Sequence, residues 1–228
     1  NTERRVQQVR KGVEPPGQAR ADWEIIVDLA TRMGYEMRYR SAEEVFAESA
    51  ELTPSYAGIS YKRLDKEGGL QWPCPTPKHP GTPYLHKDKF TRGKGLFHAI
   101  EFLPPAELPD KEYPLILTTG LVLYHFHTGS MTRRDKGLNF RHPQGYVEVN
   151  PVDAMEMGVE DGEEVRVASR RGKIEIPVQV TPRSPQGVVF IPFHFYEAAA
   201  NRLTNPALDP IGKIPEFKVC AVKVEKLG

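Results

Sequence analysis

This 228-residue sequence has few cysteines, no long apolar run and almost no net charge. Its two cysteines, Cys74 and Cys220, lie far apart, which argues against a disulfide framework and indicates a reducing, cytoplasmic compartment. A run of about 18 apolar residues does not occur, so a membrane-spanning helix is excluded. Lys and Arg number 31 against 30 Asp and Glu, a formal charge of +1, which argues against a general nucleic-acid binder.

What the sequence does contain is the composition of a globular protein. Hydrophobic residues make up 39%, and 19 glycines bring the apolar share into the usual range, so disorder is excluded as the overall state. Proline is abundant, at 21 residues. The first residue is Asn1 rather than Met and no secretory signal precedes it, which predicts a cut or processed chain.

Residues 1–52 predict a basic arm followed by two helices. The arm reads as a solvated segment. Apolar residues recur at helical spacing after Asp22, a candidate cap, until Gly34. Ser41 with Glu44 forms a capping box for a second helix. Because two helices alone cannot bury their apolar faces, we expect them to close a larger α/β layer.

Residues 53–111 carry many prolines, each of which removes a backbone donor and restricts its predecessor. A loop this long is uncommon inside a compact domain unless it is functional or lies over another surface. Its aromatic residues argue against disorder, because such side chains favour burial. We therefore expect an extended, ordered connector without regular elements that wraps a partner domain.

Residues 112–228 predict a barrel of short strands. Asn150 followed by Pro151 is typical of a helix start between two of them. Arg171 and Gly172 lie between two alternating runs, which indicates a hairpin. Short strands joined by tight turns and brief helices favour a small closed β-barrel. The strand candidates are 115–119, 146–149, 165–167, 174–176, 188–191 and 219–224.

The segment from Thr118 to Thr132 is the first place where chemistry could occur. Glycines allow close backbone approach, while free N–H groups and hydroxyls can hold phosphate oxygens without charge. The pattern is neither a P-loop nor a Rossmann fingerprint. An ordinary polar loop is the alternative.

His125 and His127 alternate, so in an extended segment they would share one face. Metal ligation is disfavoured because a structural zinc needs four donors and no Cys pair is near. Hydrogen bonding to an anionic ligand and a purely structural pair both remain open.

Phe193 to Asn201 leaves a buried strand, where polar groups of barrel and α/β sites gather. The Asn201 amide can contact a heterocycle edge or make a turn. Lys218, next to Phe217 and an apolar strand, indicates either an anionic partner or exposure at a sheet edge. A nucleophile with its base cannot be assembled, since Cys74 and Cys220 both read as packing residues.

Four blocks carry a family resemblance over essentially the whole chain: 1–7, 70–82, 117–134, and 199–222. Together they resemble the C-terminal portion of formate dehydrogenase catalytic subunits of the molybdopterin oxidoreductase (dimethyl sulfoxide reductase-like) family. The resemblance implies that 1–52 ends an α/β domain, that 53–111 is the connector, and that 112–228 is a double-psi β-barrel binding dinucleotide.

The same resemblance implies a cofactor, molybdopterin guanine dinucleotide, present as two copies (bis-MGD) whose dithiolenes hold Mo or W. The residues expected to bind it, by position, are Thr119, Gly120, His125, His127, Thr128, Ser130, Met131, Thr132, Phe193, Asn201, Phe217 and Lys218. The family usually has Arg where this chain has Leu121, so that charged contact is either absent or supplied by Arg133 or Arg134.

The iron–sulfur cysteines and the metal-ligating residue of the family belong to the preceding part of the subunit, so no catalytic or metal residue is assigned here. The resemblance thus implies formate oxidation by the complete enzyme, with the rest of the catalytic subunit and electron-transfer subunits as partners. This chain alone is not expected to oxidise formate. Two alternatives stay open: another molybdopterin oxidoreductase such as a nitrate reductase, and a non-catalytic cofactor-binding scaffold.

Overall fold

A computed structural model describes residues 1–227 and divides the chain into two compact units, Asn1–Ala99 and a second unit that begins at Ile100. The predicted limits at residues 52 and 111 stay predictions. Among the described residues, no helix combines the length and apolar character that a membrane span requires.

The first unit contains three helices and a two-stranded sheet. Its small core consists of the buried residues Ile59, Leu64, Leu70 and Cys74. The apolar side chains of the first helix stay outside this core, since none of its residues is buried. The elements are β1 (Arg5–Val6), α1 (Asp22–Arg32), α2 (Ala42–Leu52), α3 (Tyr61–Glu67) and β2 (Leu70–Gln71), with β1 antiparallel to β2.

The capping residues predicted for the two helices agree with the structure in part. The Ser41 hydroxyl accepts a hydrogen bond from the Glu44 N–H at 3.2 Å, as predicted for the start of α2. The Glu44 carboxylate, however, accepts from the N–H of Arg40 rather than from that of Ser41. At α1 the capping residue is Ala21, and Asp22 is the first helical residue, where its negative charge favours the helix N-terminus.

The expectation of a connector without regular elements is wrong for α3. Residues 55–72 contain no proline, Ser60 accepts a hydrogen bond from the Arg63 N–H, and Gly68 ends the helix in the left-handed conformation. The aromatic residues of the connector also differ among themselves. Trp72 donates to the Ser55 hydroxyl at 2.9 Å, whereas Phe97 and Phe102 are almost fully exposed.

The second unit is a closed six-stranded barrel, which confirms the predicted double-psi β-barrel class. Around the barrel the strands follow the order β3-β7-β4-β6-β5-β8. Two pairs are parallel, β3 with β7 and β4 with β6, and the remaining pairs are antiparallel. The strands are β3 (Leu115–Gly120), β4 (Val147–Val149), β5 (Glu164–Ala168), β6 (Lys173–Val180), β7 (Val188–Pro192) and β8 (Cys220–Lys226), with α4 (Lys136–Arg141) and α5 (Pro151–Met157) between them.

Alternating side chains along these strands fill the barrel. Leu117, Val149, Val167, Ile191 and Val222 are at most a few per cent exposed and belong to one core cluster. Local sequence signals set the ends of the elements, since the Asn150 side chain caps α5 and Gly158 ends it. The hairpin predicted around Gly172 joins β5 to β6.

Glu107 fixes the strand-free segment before β3 to the barrel. Its carboxylate accepts hydrogen bonds from Arg170, from Arg171 and, at 3.0 Å, from the Ala221 N–H. Burial by itself raises the pKa of Glu107, but the bonds from Arg171, Ala221 and Arg170 outweigh it and lower the pKa to about 2.

We expect this carboxylate to make the second unit sensitive to acid. A depressed pKa stabilises the folded state above the ordinary carboxyl pKa, and that contribution is lost as the pH falls from about 4.5 to about 2. Glu107→Gln should therefore lower the free energy of unfolding at pH 6 by up to about 3 kcal/mol and flatten this acid dependence. Urea unfolding followed by circular dichroism checks this. The exposed Glu112→Gln variant should behave as wild type, and an unchanged midpoint in Glu107→Gln would contradict the assignment.

Candidate functional site

The candidate site lies at the carboxyl ends of the parallel strands β3 and β7. Gly120 is the register partner of Pro192, so the chain leaves both strands side by side. Polar groups of α/β and barrel sites gather at such ends because two loops start there together.

Three backbone-anchored hydrogen bonds join these two loops. The Phe193 N–H donates to the Gly120 carbonyl at 3.1 Å. The Val122 N–H donates to Nε2 of His194 at 2.9 Å, and Nδ1 of the same ring donates to the carbonyl of His127. Residues 121–132 and 193–203 therefore form one surface.

An open groove of about 520 Å³ lies on this surface. It contains two of the predicted hydroxyl residues, Thr128 and Ser130. Its lining residues are Thr128, Gly129, Ser130, Arg133, Arg134, Asn139 and Tyr196. Two arginines, Arg133 and Arg134, are among these residues.

The groove holds hydrogen-bonding groups that the described part of the chain leaves unused. Buried Nε of Arg133 and buried Oδ1 of Asn139 have no partner among residues 1–227. Within the same residues, the backbone N–H groups of Thr128, Ser130 and Met131 donate to no acceptor. The three N–H groups belong to exposed residues, so they remain available to an acceptor such as a phosphate oxygen.

Gly129 brings the backbone of this turn close to β7. Its φ is +72°, and a Cβ built there would lie 2.7 Å from Cδ of Arg133 and 3.1 Å from the carbonyl oxygen of His194. Only glycine meets both demands, the left-handed conformation and the close approach. Any larger residue at this position would displace the turn that carries the free N–H groups.

The shared-face prediction for His125 and His127 is wrong, because the segment turns instead of extending. His125 is buried: its Nε2 donates to the His142 carbonyl at 2.7 Å and its Nδ1 accepts from the Thr132 hydroxyl at 3.1 Å. His127 has a φ of +47° and its side chain is exposed. The two imidazoles thus point to different environments, one inside the loop and one outside.

Thr119, Phe217 and Lys218 meet at the end of β3. The Thr119 hydroxyl donates to the Phe217 carbonyl at 2.8 Å, and Nζ of Lys218 donates to the Thr119 carbonyl. Phe217 is 42% exposed, so its ring is accessible at this edge. These bonds attach the segment before β8 to the start of the loop after β3.

The other predicted residues take separate positions. Phe193 packs against the barrel core, whereas Met131 is 67% exposed. Asn201 is exposed in a single 3-10 turn, where its carbonyl accepts from the Thr204 hydroxyl. A Cβ added to Gly120 would lie 2.6 Å from the ring of Phe190.

Several groups outside the set of predicted binding residues contribute to this surface, and among them Arg133 is predicted only as a possible source of the charge that Leu121 lacks. Arg133 makes a two-pronged ion pair with Glu197 and lies 5.0 Å from the ring centre of Phe195. Burial lowers the pKa of His194, and the neighbouring His125 and His127 lower it further. The hydrogen bond to the His127 carbonyl acts in the opposite direction and raises it. His194 lies in the turn directly after β7, in contact with the rings of Phe193 and Phe195, and a histidine between two aromatic residues at a strand end is the sequence signal that could have identified it.

A second, polar cavity of about 420 Å³ lies beside the start of the same loop. Buried Glu148 accepts from Arg183 at 2.6 Å within it. His142 lines this cavity. Burial lowers the pKa of His142, and the nearby His125 and Arg183 lower it further. Leu121, the departure from the family pattern, is 59% exposed and lines this cavity.

Comparison with known proteins gives two family-model matches. The model described as "Molydopterin dinucleotide binding domain" matches residues 115–221, which include the groove and the barrel strands from β3 to β7. The model described as "Molybdopterin oxidoreductase" matches residues 1–32.

Curated relatives and a solved structure match nearly the whole chain. The F420-dependent formate dehydrogenase 1 subunit alpha of Methanococcus maripaludis is 51% identical over 100% of this chain, which covers 34% of that protein. The assimilatory nitrate reductase catalytic subunit of Bacillus subtilis is 40% identical over 98% of the chain, or 33% of that protein. Acetylene hydratase from Pelobacter acetylenicus superposes with a TM-score of 0.64 over 96% of this chain and 34% of that one. At 20% identity, this last likeness shows the fold alone. The chain spans about a third of the length of the curated relatives it matches.

Proposed function

Because the chain belongs to the molybdopterin oxidoreductase family, we propose that it is the C-terminal, cofactor-holding part of a formate dehydrogenase catalytic subunit. The observation that carries this proposal is the groove with unused donors, which lies inside the segment that matches the dinucleotide-binding model. The full-chain likeness to a formate dehydrogenase alpha subunit supports the choice of formate.

The residues of the groove fit molybdopterin guanine dinucleotide. The hydroxyls of Thr128 and Ser130, with the free N–H groups of their turn, would hold pyrophosphate oxygens. Arg134 supplies positive charge, since it lines the groove and forms no ion pair among the described residues, whereas Arg133 is paired with Glu197. The Arg134 charge offsets the absence of a charged side chain at Leu121.

The remaining predicted residues have supporting roles in the proposal. Asn201, which is exposed, would contact a heterocycle edge, and the partly exposed ring of Phe217, in the segment before β8, would offer an apolar contact. His125, Thr132, Thr119 and Lys218 would act on the ligand mainly by fixing the loop, since their polar groups are already bonded within the chain. Gly120, His127, Met131 and Phe193 would complete the lining.

When bound, the group would supply two-electron chemistry at a metal, Mo or W, that two copies of the dinucleotide would hold. This chain's part is to bind and orient that group. The proposal places the iron–sulfur clusters and metal ligands in the rest of the catalytic subunit, with electron-transfer subunits as further partners and a cytoplasmic location. In this proposal residues 1–52 end an α/β domain, residues 53–111 form a connector, and residues 112–228 form the dinucleotide-binding barrel.

The test is formate-dependent reduction of a viologen dye by the complete catalytic subunit that contains this chain. We expect the dye to be reduced when formate is added. We expect no oxidation of the reduced dye when nitrate is added. The opposite pattern would overturn the formate assignment in favour of a nitrate reductase, the second candidate, which the 40% identical relative supports. Absence of pterin from the purified subunit would instead favour a scaffold without cofactor.

A further inference from the structure

The buried side chain of His194 connects the loop after β7 to the loop after β3. The side chain is fully buried, and the residue follows the last residues of β7. Through one ring it reaches the loop after β3 at two points five residues apart, the Val122 N–H and the His127 carbonyl. Among the described residues, no other side chain bonds to both of these backbone groups.

The chemistry of those two partners fixes the tautomer of the ring. A backbone N–H can only donate and a carbonyl can only accept. Nε2 of His194 must therefore keep its lone pair for Val122, and Nδ1 must carry the proton for His127. Both bonds form only when the imidazole is neutral.

The loop that these bonds attach has an uncommon backbone conformation. His127 has a φ of +47°, a left-handed conformation that is uncommon for a residue with a side chain. The turn that follows lies against the backbone of His194, since a Cβ on Gly129 would be 3.1 Å from the His194 carbonyl oxygen. Thr128, Ser130 and Met131, whose N–H groups are free, belong to this same turn.

We propose that His194 is a positioning residue whose neutral ring holds residues 122–127 so that the N–H groups of the following turn face the anionic part of the ligand. This inference rests on the proposed function and deepens it, because it assigns the pre-organisation of the phosphate-binding turn to one side chain. Protonation of His194 would set an N–H against the Val122 N–H and release one of the two attachments.

The surroundings of His194 favour the neutral form. The ring of His125 lies 5.8 Å away, that of Phe193 lies 5.3 Å away, and His127 contributes its carbonyl. On the neighbouring turn, Arg133 is paired with Glu197, so the charges of these two side chains offset each other. In keeping with this, burial lowers the pKa of His194 below the ordinary imidazole value.

The experiment measures cofactor retention by the complete catalytic subunit as a function of pH. Wild type, His194→Gln and His194→Ala are incubated between pH 4.5 and 8, desalted, and assayed for the pterin and guanine nucleotide that stay bound. Gln supplies an amide oxygen that can accept from the Val122 N–H and does not titrate. Ala removes both attachments.

We expect wild type to lose cofactor along a one-proton acid limb below the ordinary imidazole range. His194→Gln should retain cofactor at pH 7.5 within about twofold of wild type and should lack that limb. His194→Ala should retain at least about tenfold less at every pH, which corresponds to a loss of about 1.4 kcal/mol in binding. Amide exchange at Val122, faster in Ala than in Gln, reports the attachment independently of the ligand.

Two results would overturn the inference. An acid limb in His194→Gln identical to that of wild type would exclude His194 as the titrating group, and wild-type retention by a folded His194→Ala would exclude positioning. If wild type itself carries no pterin or guanine nucleotide, the proposed function fails together with this inference. Failure of the variants alone, with a loaded wild type, refutes only the role of His194.

Discussion

Gly129→Ala is expected to lower the cofactor content of the complete catalytic subunit by at least about tenfold, equivalent to about 1.4 kcal/mol. The added Cβ would lie 2.7 Å from Cδ of Arg133 and 3.1 Å from the carbonyl oxygen of His194. The Arg133 side chain can move, but the His194 carbonyl is part of the backbone directly after β7. The turn that contains residue 129 therefore has to shift outward. That shift moves the free N–H groups of Thr128 and Ser130 away from the phosphate oxygens they are proposed to hold. Pterin and guanine nucleotide per subunit are the quantities to measure.

Gly158→Ala is the matched control for this prediction. Gly158 ends α5 with a φ of +66°, close to the +72° of Gly129, and a Cβ there meets nothing within 4 Å. Both variants therefore carry the same left-handed strain, roughly 1–2 kcal/mol of stability, but only Gly129→Ala displaces the turn. Equal cofactor contents in the two variants would contradict the assignment of the turn as the phosphate-holding element.

Leu117→Ala is expected to reduce the free energy of unfolding of the barrel by about 2–5 kcal/mol. Leu117 is completely buried at the centre of β3, between its register partners Val189 on β7 and Cys220 on β8. Truncation removes transfer free energy and leaves a cavity that three strands surround. Because both tryptophans, Trp23 and Trp72, lie in the first unit, hydrogen exchange of β3 amides under increasing urea is the suitable measurement.

Leu103→Ala provides the comparison in the same unit. Leu103 is 80% exposed, so its truncation should change the free energy of unfolding by no more than about 0.5 kcal/mol. If Leu117→Ala has an effect as small as Leu103→Ala, the barrel interior does not carry the stability of the second unit.

The barrel could be predicted from sequence because its strands are short, alternating and clearly bounded. Asn150 with Pro151, and Gly172 between two alternating runs, mark element ends by local chemistry that tertiary contacts do not override. The high proline content of residues 53–111 as a whole conceals helix α3, which forms in the stretch from 55 to 72 that lacks proline. A proline acts on its own position and its neighbours and leaves the intervening helix unaffected.

The site was predictable in composition and only partly in geometry. Glycines and hydroxyls after β3 indicate a phosphate-holding turn, and Thr128 and Ser130 do line the groove. The environments of His125 and His127 could not be derived, since the alternation argument assumes an extended chain and the turn at His127 depends on a bond to His194, 67 residues away. The sequence names Arg133 as a possible charged contact, but its pairing with Glu197 and the burial of Asn139 depend on contacts that form only in the fold.

The central claim is that the turn after β3 holds an anionic pterin dinucleotide. It is tested most directly by denaturing the complete catalytic subunit and quantifying the released guanine nucleotide and pterin, in wild type and in a Thr128→Val/Ser130→Ala double variant that removes both groove hydroxyls. The account predicts that wild type releases both compounds in equal amounts, and that the double variant, folded as judged by its urea midpoint, releases several-fold less. A wild type that releases neither compound, or a double variant that releases as much as wild type, would contradict it.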